Sequence, residues 1–211
     1  MASRIVHLAI ANEIIKAHPL PEPERFLFGS LLPDAHPDKS AHYNKYLRNG
    51  QRKTHDLTGF RRRFGDRLQG DSLYLGYYLH LLQDILFRHE MYAIVGYDPR
   101  PAGNVSQLHL DYELTNRYVI ETYKLTNRVS IPQGLEAEPL WKDWSFEAEA
   151  FLAELARDFT ANPQGKTRFF TEAQADTLIR HAVPLCLKEL EALNAGTGYF
   201  DEDRFAWERH S

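Results

Sequence analysis

The chain has 211 residues, 43% hydrophobic and 26% charged, a balance that excludes disorder and fibrous repeats and is enough for a real buried core. Its 29 acidic and 25 basic residues give a formal net charge of −4, so there is no broad cationic field for gripping nucleic acid non-specifically. The one cysteine, Cys186, rules out an internal disulfide and a zinc site built mainly from thiolates. Histidine is in surplus, with ten residues, and imidazole is the commonest protein metal ligand.

Helix signals run through the chain and no period-2 strand bounded by hairpin turns stands out, so the expected class is all-α, a multi-helix bundle. Ser3 caps a first helix to about Ala17, on which Ile10, Ala11 and Ile14 share a face with His7. A second helix, Glu24 to about Leu31, stops at Pro33. Asp34 to Arg52, with Pro37, Asn44, Asn49 and Gly50, reads as a long excursion, and loops of that length tend to be functional. Thr54 opens a third helix. Asp71 or Ser72 caps a fourth that reaches about Met91 and is apolar all round, which makes it central. Gly96 to Gly103 is a turn region, and a fifth helix follows from about Val105 to Leu125. A Pro/Gly connection at 131–139 leads to a helix capped by Ser145 that ends near Phe159, then to one capped by Thr171 and kinked at Pro184.

Residues 1–211 are expected to form a single helical domain, with the chemistry on 1–125 and additional packing helices in 140–211. The most apolar segment, Leu73 to Phe87, is broken by His80, Gln83 and Asp84, so no membrane span is expected. His7 interrupts the apolar N-terminal stretch and no small-residue cleavage site follows, which gives the expectation of a cytoplasmic protein.

Two helices carry most of the chemistry. His80 and Asp84 are one turn apart on a single face of the fourth helix, and His109 and Glu113 repeat that spacing on the fifth. Bundle-core metal sites present their ligands in this way, inward from neighbouring helices. An ionised Asp84 among Leu79, Leu81, Leu82, Ile85 and Leu86 needs a compensating cation. His7, Asp34 after Pro33, His55 at the start of the third helix and His89 at the end of the fourth all fall on elements that must pack around the fourth, so they join the candidate ligands. The run Arg61-Arg62-Arg63, with Arg67 a turn later, offers Arg61 and Arg62 as contacts for substrate phosphate, against the alternative of a solvated helix face. His36 lies in a string that also reads as a turn, and Tyr74, Tyr77, Tyr78 and Tyr92 read as core aromatics more readily than as pocket lining. His18, His42, His181 and His210 have no acid at ligand spacing and are set aside.

The strings Phe28-Gly29-Ser30-Leu31-Leu32-Pro33-Asp34, Lys53-Thr54-His55 and Gly76-Tyr77-Tyr78-Leu79-His80-Leu81-Leu82-Gln83-Asp84 resemble the zinc-dependent phospholipase C family, which is all-α and related in fold to the S1/P1-type nucleases. The resemblance covers roughly residues 1–125, and the order His, Pro-Asp, Thr-His, His-x-x-x-Asp, His-x-x-x-Glu is specific as a set. It implies a three-ion centre. In it Asp34, His55, His80 and Asp84 hold one zinc, Asp84 bridges toward a second that His7 also binds, and His89, His109 and Glu113 hold the remaining ion. Secreted members complete the His7 site with the amine of an N-terminal tryptophan, where this chain has Met1-Ala2-Ser3. His89 departs from the pattern, since five residues past Asp84 it turns off the Asp84 face unless the helix ends or bends first.

Imidazoles and carboxylates without thiolates suit zinc, and also iron or manganese. Two or three close ions acidify water and hold phosphate oxygens during an in-line attack, so the resemblance implies phosphoester hydrolysis, with Asp34 as ligand and proton acceptor. The implied partner is a small phosphoester substrate, with nucleic acid still among the candidates and the oligomeric state left open. Two other readings compete. An HD-type metal phosphohydrolase would use both His55 and Asp56 as ligands, and a non-catalytic helical protein would hold a saturated, closed structural ion.

Overall fold

Ser3 opens the first helix as its side chain predicts: in the computed structural model, which describes residues 2–38 and 40–209, its hydroxyl accepts the Val6 N–H at 3.2 Å. Helix α1 then runs Arg4–Ala17, α2 runs Pro23–Gly29, and a short 3₁₀ turn, Leu32–Ala35, carries Asp34. Met1 and His210, both part of the sequence argument, lie outside the described residues.

Helices dominate the described residues, as expected of an all-α protein, and the 34–52 excursion contributes most of one small three-stranded sheet. Strands β1 (Asn44–Leu47) and β2 (Arg52–His55) pair antiparallel with Asn44 opposite His55, and β3 (Trp207–Glu208) adds to β2 with Lys53 opposite Trp207. Arg48, Asn49 and Gly50 turn the hairpin at φ of 49°, 53° and 86°. Thr54 therefore lies in a strand. The third helix, α3 (Leu57–Leu68), starts instead at Asp56, whose carboxylate accepts the Gly59 N–H at 2.8 Å.

Helix α4 (Ser72–His89) is capped by Asp71 and buried without interruption from Ser72 to Phe87, so its all-round apolarity does mark the centre of the fold. Its most extensive packing is against α2. Two glycines make that approach possible: a Cβ on Gly29 would lie 2.2 Å from the Leu73 carbonyl oxygen, and one on Gly76 would lie 2.3 Å from that of Phe26. A single π-helical turn, Glu90–Ile94, ends α4 and changes the register of the residues beyond it. Helix α5 (Asn104–Tyr123) follows a left-handed Gly103.

The C-terminal part holds a short α6 (Pro139–Asp143), α7 (Ala148–Asp158) and α8 (Glu172–Asn194). Ser145 does not cap α7, which begins after Glu147. Thr171 does cap α8, in a reciprocal box with Gln174, and the helix continues through Pro184. That proline is exposed, so the carbonyl it leaves without an amide donor can be satisfied by water.

Two buried acids tie this part down without chemistry of their own. Asp111 on α5 accepts the amides of Arg168, Phe169 and Phe170 at 3.0, 2.6 and 2.9 Å. Glu189 on α8 accepts those of Tyr199 and Phe200 at 2.8 and 2.6 Å and the Tyr78 hydroxyl at 2.5 Å. Such satisfied acids fix loops rather than bind ligands. Among the described residues no helix is long and apolar enough to cross a membrane.

Candidate metal centre

Five elements deliver polar side chains to one buried point. Helix α1 brings His7, the 3₁₀ turn brings Asp34, the start of the hairpin segment brings His42, β2 ends on His55, and α4 supplies His80 and Asp84. Asp84 is the hub. Its Oδ1 is 3.4 Å from His7 Nε2, and its Oδ2 is 3.6, 3.9 and 3.7 Å from the Nε2 atoms of His42, His55 and His80. Asp34 Oδ1 reaches His42 Nε2 at 3.4 Å, and the two imidazoles His42 and His80 are 3.3 Å apart through Nε2.

Each of three imidazoles is held from behind. His7 Nδ1 meets Gln83 Oε1 at 2.8 Å, His55 Nδ1 meets the His42 carbonyl at 2.7 Å, and His80 Nδ1 meets the Ser30 carbonyl at 2.8 Å. An acceptor behind Nδ1 fixes the tautomer that leaves the Nε2 lone pair free and aimed inward, as metal-ligating histidines require. At the focus, Nε2 of His7 and His55, Oδ1 of Asp34 and Oδ2 of Asp84 are buried with no hydrogen-bond partner. Orphaned buried acceptors at this density are costly unless a cation satisfies them.

Protonation follows the same logic. Burial pushes His80 down to about 3 and His55 well below the usual imidazole range, so both are neutral near pH 7. Burial alone would raise the two carboxyls, but the positive charge around them outweighs it: the imidazoles, His42 first, hold Asp34 at about 2, and nearby positive charge, His7 and His80 included, holds Asp84 well below the ordinary carboxylate range. His7 goes the other way: burial lowers it, and its contact with Asp84 lifts it above the usual value. Neutral imidazoles beside ionised carboxylates are the protonation state that a divalent ion needs.

A pH prediction follows for zinc-stripped protein. Below about 6.5 an unfolded chain protonates His55 and His80 while the folded one does not, so their contribution to stability is present above that pH and lost below it. His7, with its raised folded value, contributes stability below about 6.5 that is lost as pH rises through that folded value. The cluster should therefore be most stable near pH 6.5 without metal, losing at least about 1.4 kcal/mol per pH unit on acidification, one net proton's worth. Urea midpoints between pH 5 and 8 test this; a flat profile would mean that the imidazoles are not buried as described.

Sequence reasoning placed His7, Asp34, His55, His80 and Asp84 in one cluster, and the structure brings all five together. It also groups them differently: the sets whose donor atoms lie within 4.8 Å of one another are His7, Asp34 and His80, and His42, His80 and Asp84. His42 has no acid at ligand spacing in the sequence, yet folding puts two acids, Asp34 and Asp84, beside it. The signal was its place, a histidine in the excursion between two candidate ligands.

Neither set contains His89, His109 or Glu113. Helix α4 stays regular through His89, so the five-residue step from Asp84 turns His89 away, and its ring packs edge-on against Phe205 at 5.1 Å. On α5 the buried stripe runs through Leu108, Asp111 and Thr115, which leaves His109 and Glu113 exposed on the outer wall of a cleft. His36 pairs with Asp38 at 2.9 Å and packs against Trp144 and Phe146.

Arg61 is also spent elsewhere, bonded to the Tyr78 hydroxyl and, at 3.3 Å, to Glu189. Tyr78 lies on the face of α4 opposite His80, and Arg62 is exposed on α3, so both arginines sit away from the cluster. Asp56 caps α3 and belongs to neither ion set, which deprives the HD-type reading of its second ligand.

A family model for zinc dependent phospholipase C matches residues 6–158, a span holding every member of the cluster. The chain belongs to the zinc-dependent phospholipase C family. Membership implies a zinc-dependent enzyme that hydrolyses phosphodiesters, and the two histidine–aspartate sets could hold the ions. No curated protein and no solved structure matches the chain.

Asp34 gives the centre its opening. Its side chain, 7% exposed, lines a cleft of about 480 Å³ with Ala2, Arg88, Tyr92, His109 and Glu113. A second cleft of about 230 Å³ reaches the centre from the sheet side through His42, His55, Lys53 and Trp207. Arg88, Tyr92 and Pro99 line both.

Proposed function

We propose that this protein hydrolyses a small phosphodiester at zinc held among His7, Asp34, His42, His55, His80 and Asp84. The observation that carries the proposal is the set of inward Nε2 and carboxylate oxygen atoms, each buried, several orphaned, and three of the imidazoles locked from behind. When bound, zinc acidifies water and draws charge from a phosphoryl oxygen.

The chain's own residues do the rest. His80 belongs to both candidate sets and fixes them relative to each other, while Asp84 presents one oxygen to His7 and the other to the remaining histidines. Asp34 borders the open cleft and is ionised at neutral pH, so it can take the proton released as water attacks phosphorus. A closed structural ion would need no such opening, and the adjoining cleft favours catalysis over a staple. Two clefts converging on the centre suit an ester with two arms, which favours diesters over monoesters.

Metal content and turnover test the reading together. Purified protein should carry zinc, or take it up in preference to iron or manganese, and hydrolyse bis(p-nitrophenyl) phosphate faster than p-nitrophenyl phosphate. Chelation should abolish turnover and added zinc restore it. A chain that binds none of these metals, or one that loads zinc and cleaves neither ester, would overturn it.

A further inference from the structure

Arg88 is one turn past Asp84 on the same face of α4, so its side chain leaves the helix directly above the ion cluster. It is a half-buried cation without an acid: among the described residues no carboxylate lies within ion-pairing distance, and its Nε is buried with no hydrogen-bond partner. The one hydrogen bond described for it runs from Nη1 to the Tyr92 hydroxyl at 2.7 Å. The guanidinium lies over the rings of Tyr92 and Trp207, 5.6 and 5.7 Å from their centroids. Trp207 in turn packs edge-on against His55 at 5.3 Å.

This arrangement fixes the position of the charge and leaves its hydrogen-bonding capacity in reserve. Two aromatic faces hold the plane of the group and partly offset its lost hydration. They do not use its fork of N–H donors, of which only one is engaged by Tyr92. A buried donor of this kind is expensive when it has nothing to bind and strong when it meets an oxyanion. Arg88 also lines both clefts, the one with Asp34 and the one with His42 and His55, so an anion reaching the centre from either side passes it.

We infer that the Arg88 guanidinium binds a phosphoryl oxygen of the substrate beside the ion centre. The inference rests on the proposed hydrolase reading and adds to it a fixed cation distinct from Arg61 and Arg62. Arg88 takes no part in holding ions; it orients the phosphoryl group and balances charge gathering on its free oxygen. Planar, forked recognition is the reason for arginine here, since lysine would supply charge without geometry.

The test compares Arg88→Gln and Arg88→Lys with wild type in three measurements: zinc per chain, inhibition by inorganic phosphate, and kcat and KM on bis(p-nitrophenyl) phosphate. Both variants should keep wild-type zinc. Arg88→Gln should bind phosphate at least about tenfold more weakly and lose about a hundredfold in kcat/KM, the usual worth of a hydrogen bond to a charged group, with Arg88→Lys between it and wild type.

Wild-type phosphate affinity and turnover in Arg88→Gln, with zinc retained, would overturn the inference and leave the hydrolase reading standing. So would loss of zinc in both variants, since Arg88 would then act on the ions, and so would weakened phosphate binding with unchanged diester turnover, which would make it a site for free phosphate. Wild-type protein that binds no metal would instead remove the hydrolase reading itself.

Discussion

Asp84→Asn should cost the protein its ions and its hydrolysis together. The substitution keeps shape and leaves an oxygen for the Ala2 amide, which donates to Asp84 Oδ1 at 3.0 Å. What it removes is the one charged group within 4 Å of four imidazoles, those of His7, His42, His55 and His80. Carboxylate charge accounts for much of the affinity of a hard or borderline cation, so bound zinc should fall and kcat/KM should drop by about 10³-fold, several kcal/mol of charge stabilisation.

A control separates the ion from the fold. Near pH 8 zinc-free Asp84→Asn should melt somewhat below zinc-free wild type, because the lowered folded value of Asp84 means that the fold favours the ionised carboxylate over a neutral group. Added zinc should then raise the melting temperature of wild type alone. Parallel metal analysis, turnover and melting curves decide the matter, and a variant that retains full zinc and activity would remove Asp84 from the centre.

The parts of this centre that could be read in advance lie on helices. His80 and Asp84 share a face because four residues make about one turn, and the apolar run around them had to be buried. The resemblance supplied the partners from distant segments, Pro33-Asp34 and Thr54-His55. His42 was illegible because its acids, Asp34 and Asp84, come from other elements, and no local spacing records a contact made through a hairpin. The hairpin was itself hidden. Asn49-Gly50 is a recognised turn signal, but Asn44–Leu47 and Arg52–His55 are polar and short, without the alternation that marks a half-buried strand.

His109 and Glu113 stand outside both ion sets and line the cleft that Asp34 borders. Their spacing is as regular as that of His80 and Asp84, yet α5 is buried on one stripe only, and that stripe carries Asp111. Spacing says which side chains share a face; it does not say which face is buried. The Arg61–Arg63 run is a related case, with Arg61 bonded to Tyr78 and Glu189 and Arg62 exposed. A cluster of charge is conspicuous in sequence, whereas the single arginine that follows Asp84 by one turn is not, and position relative to the centre matters more than number.

The second large effect is expected one helical turn before His80, at a residue that offers no ligand atom. Gly76→Ala should destabilise the protein by about 3 kcal/mol and lower its melting temperature by roughly 6–12 °C. Alanine is the better helix former by about 1 kcal/mol, so the sign depends entirely on packing. The new methyl would stand 2.3 Å from the Phe26 carbonyl oxygen and 2.7 Å from the Ser30 amide nitrogen, and backbone atoms cannot rotate out of the way as a flexible side chain could.

Helix α2 must therefore move off α4. Ser30 moves with it, and the Ser30 carbonyl is the acceptor that orients His80 through Nδ1 at 2.8 Å. Because partners behind a metal-ligating histidine are worth about 10–100-fold in affinity, zinc should bind more weakly in Gly76→Ala even at temperatures where it stays folded. Gly65→Ala is the matched control: it sits in α3 with nothing within 4 Å of an added Cβ, and it should leave both properties intact or slightly improve stability. If Gly76→Ala melted and bound zinc like wild type, the close α2–α4 approach would not be what sets the His80 ring in place.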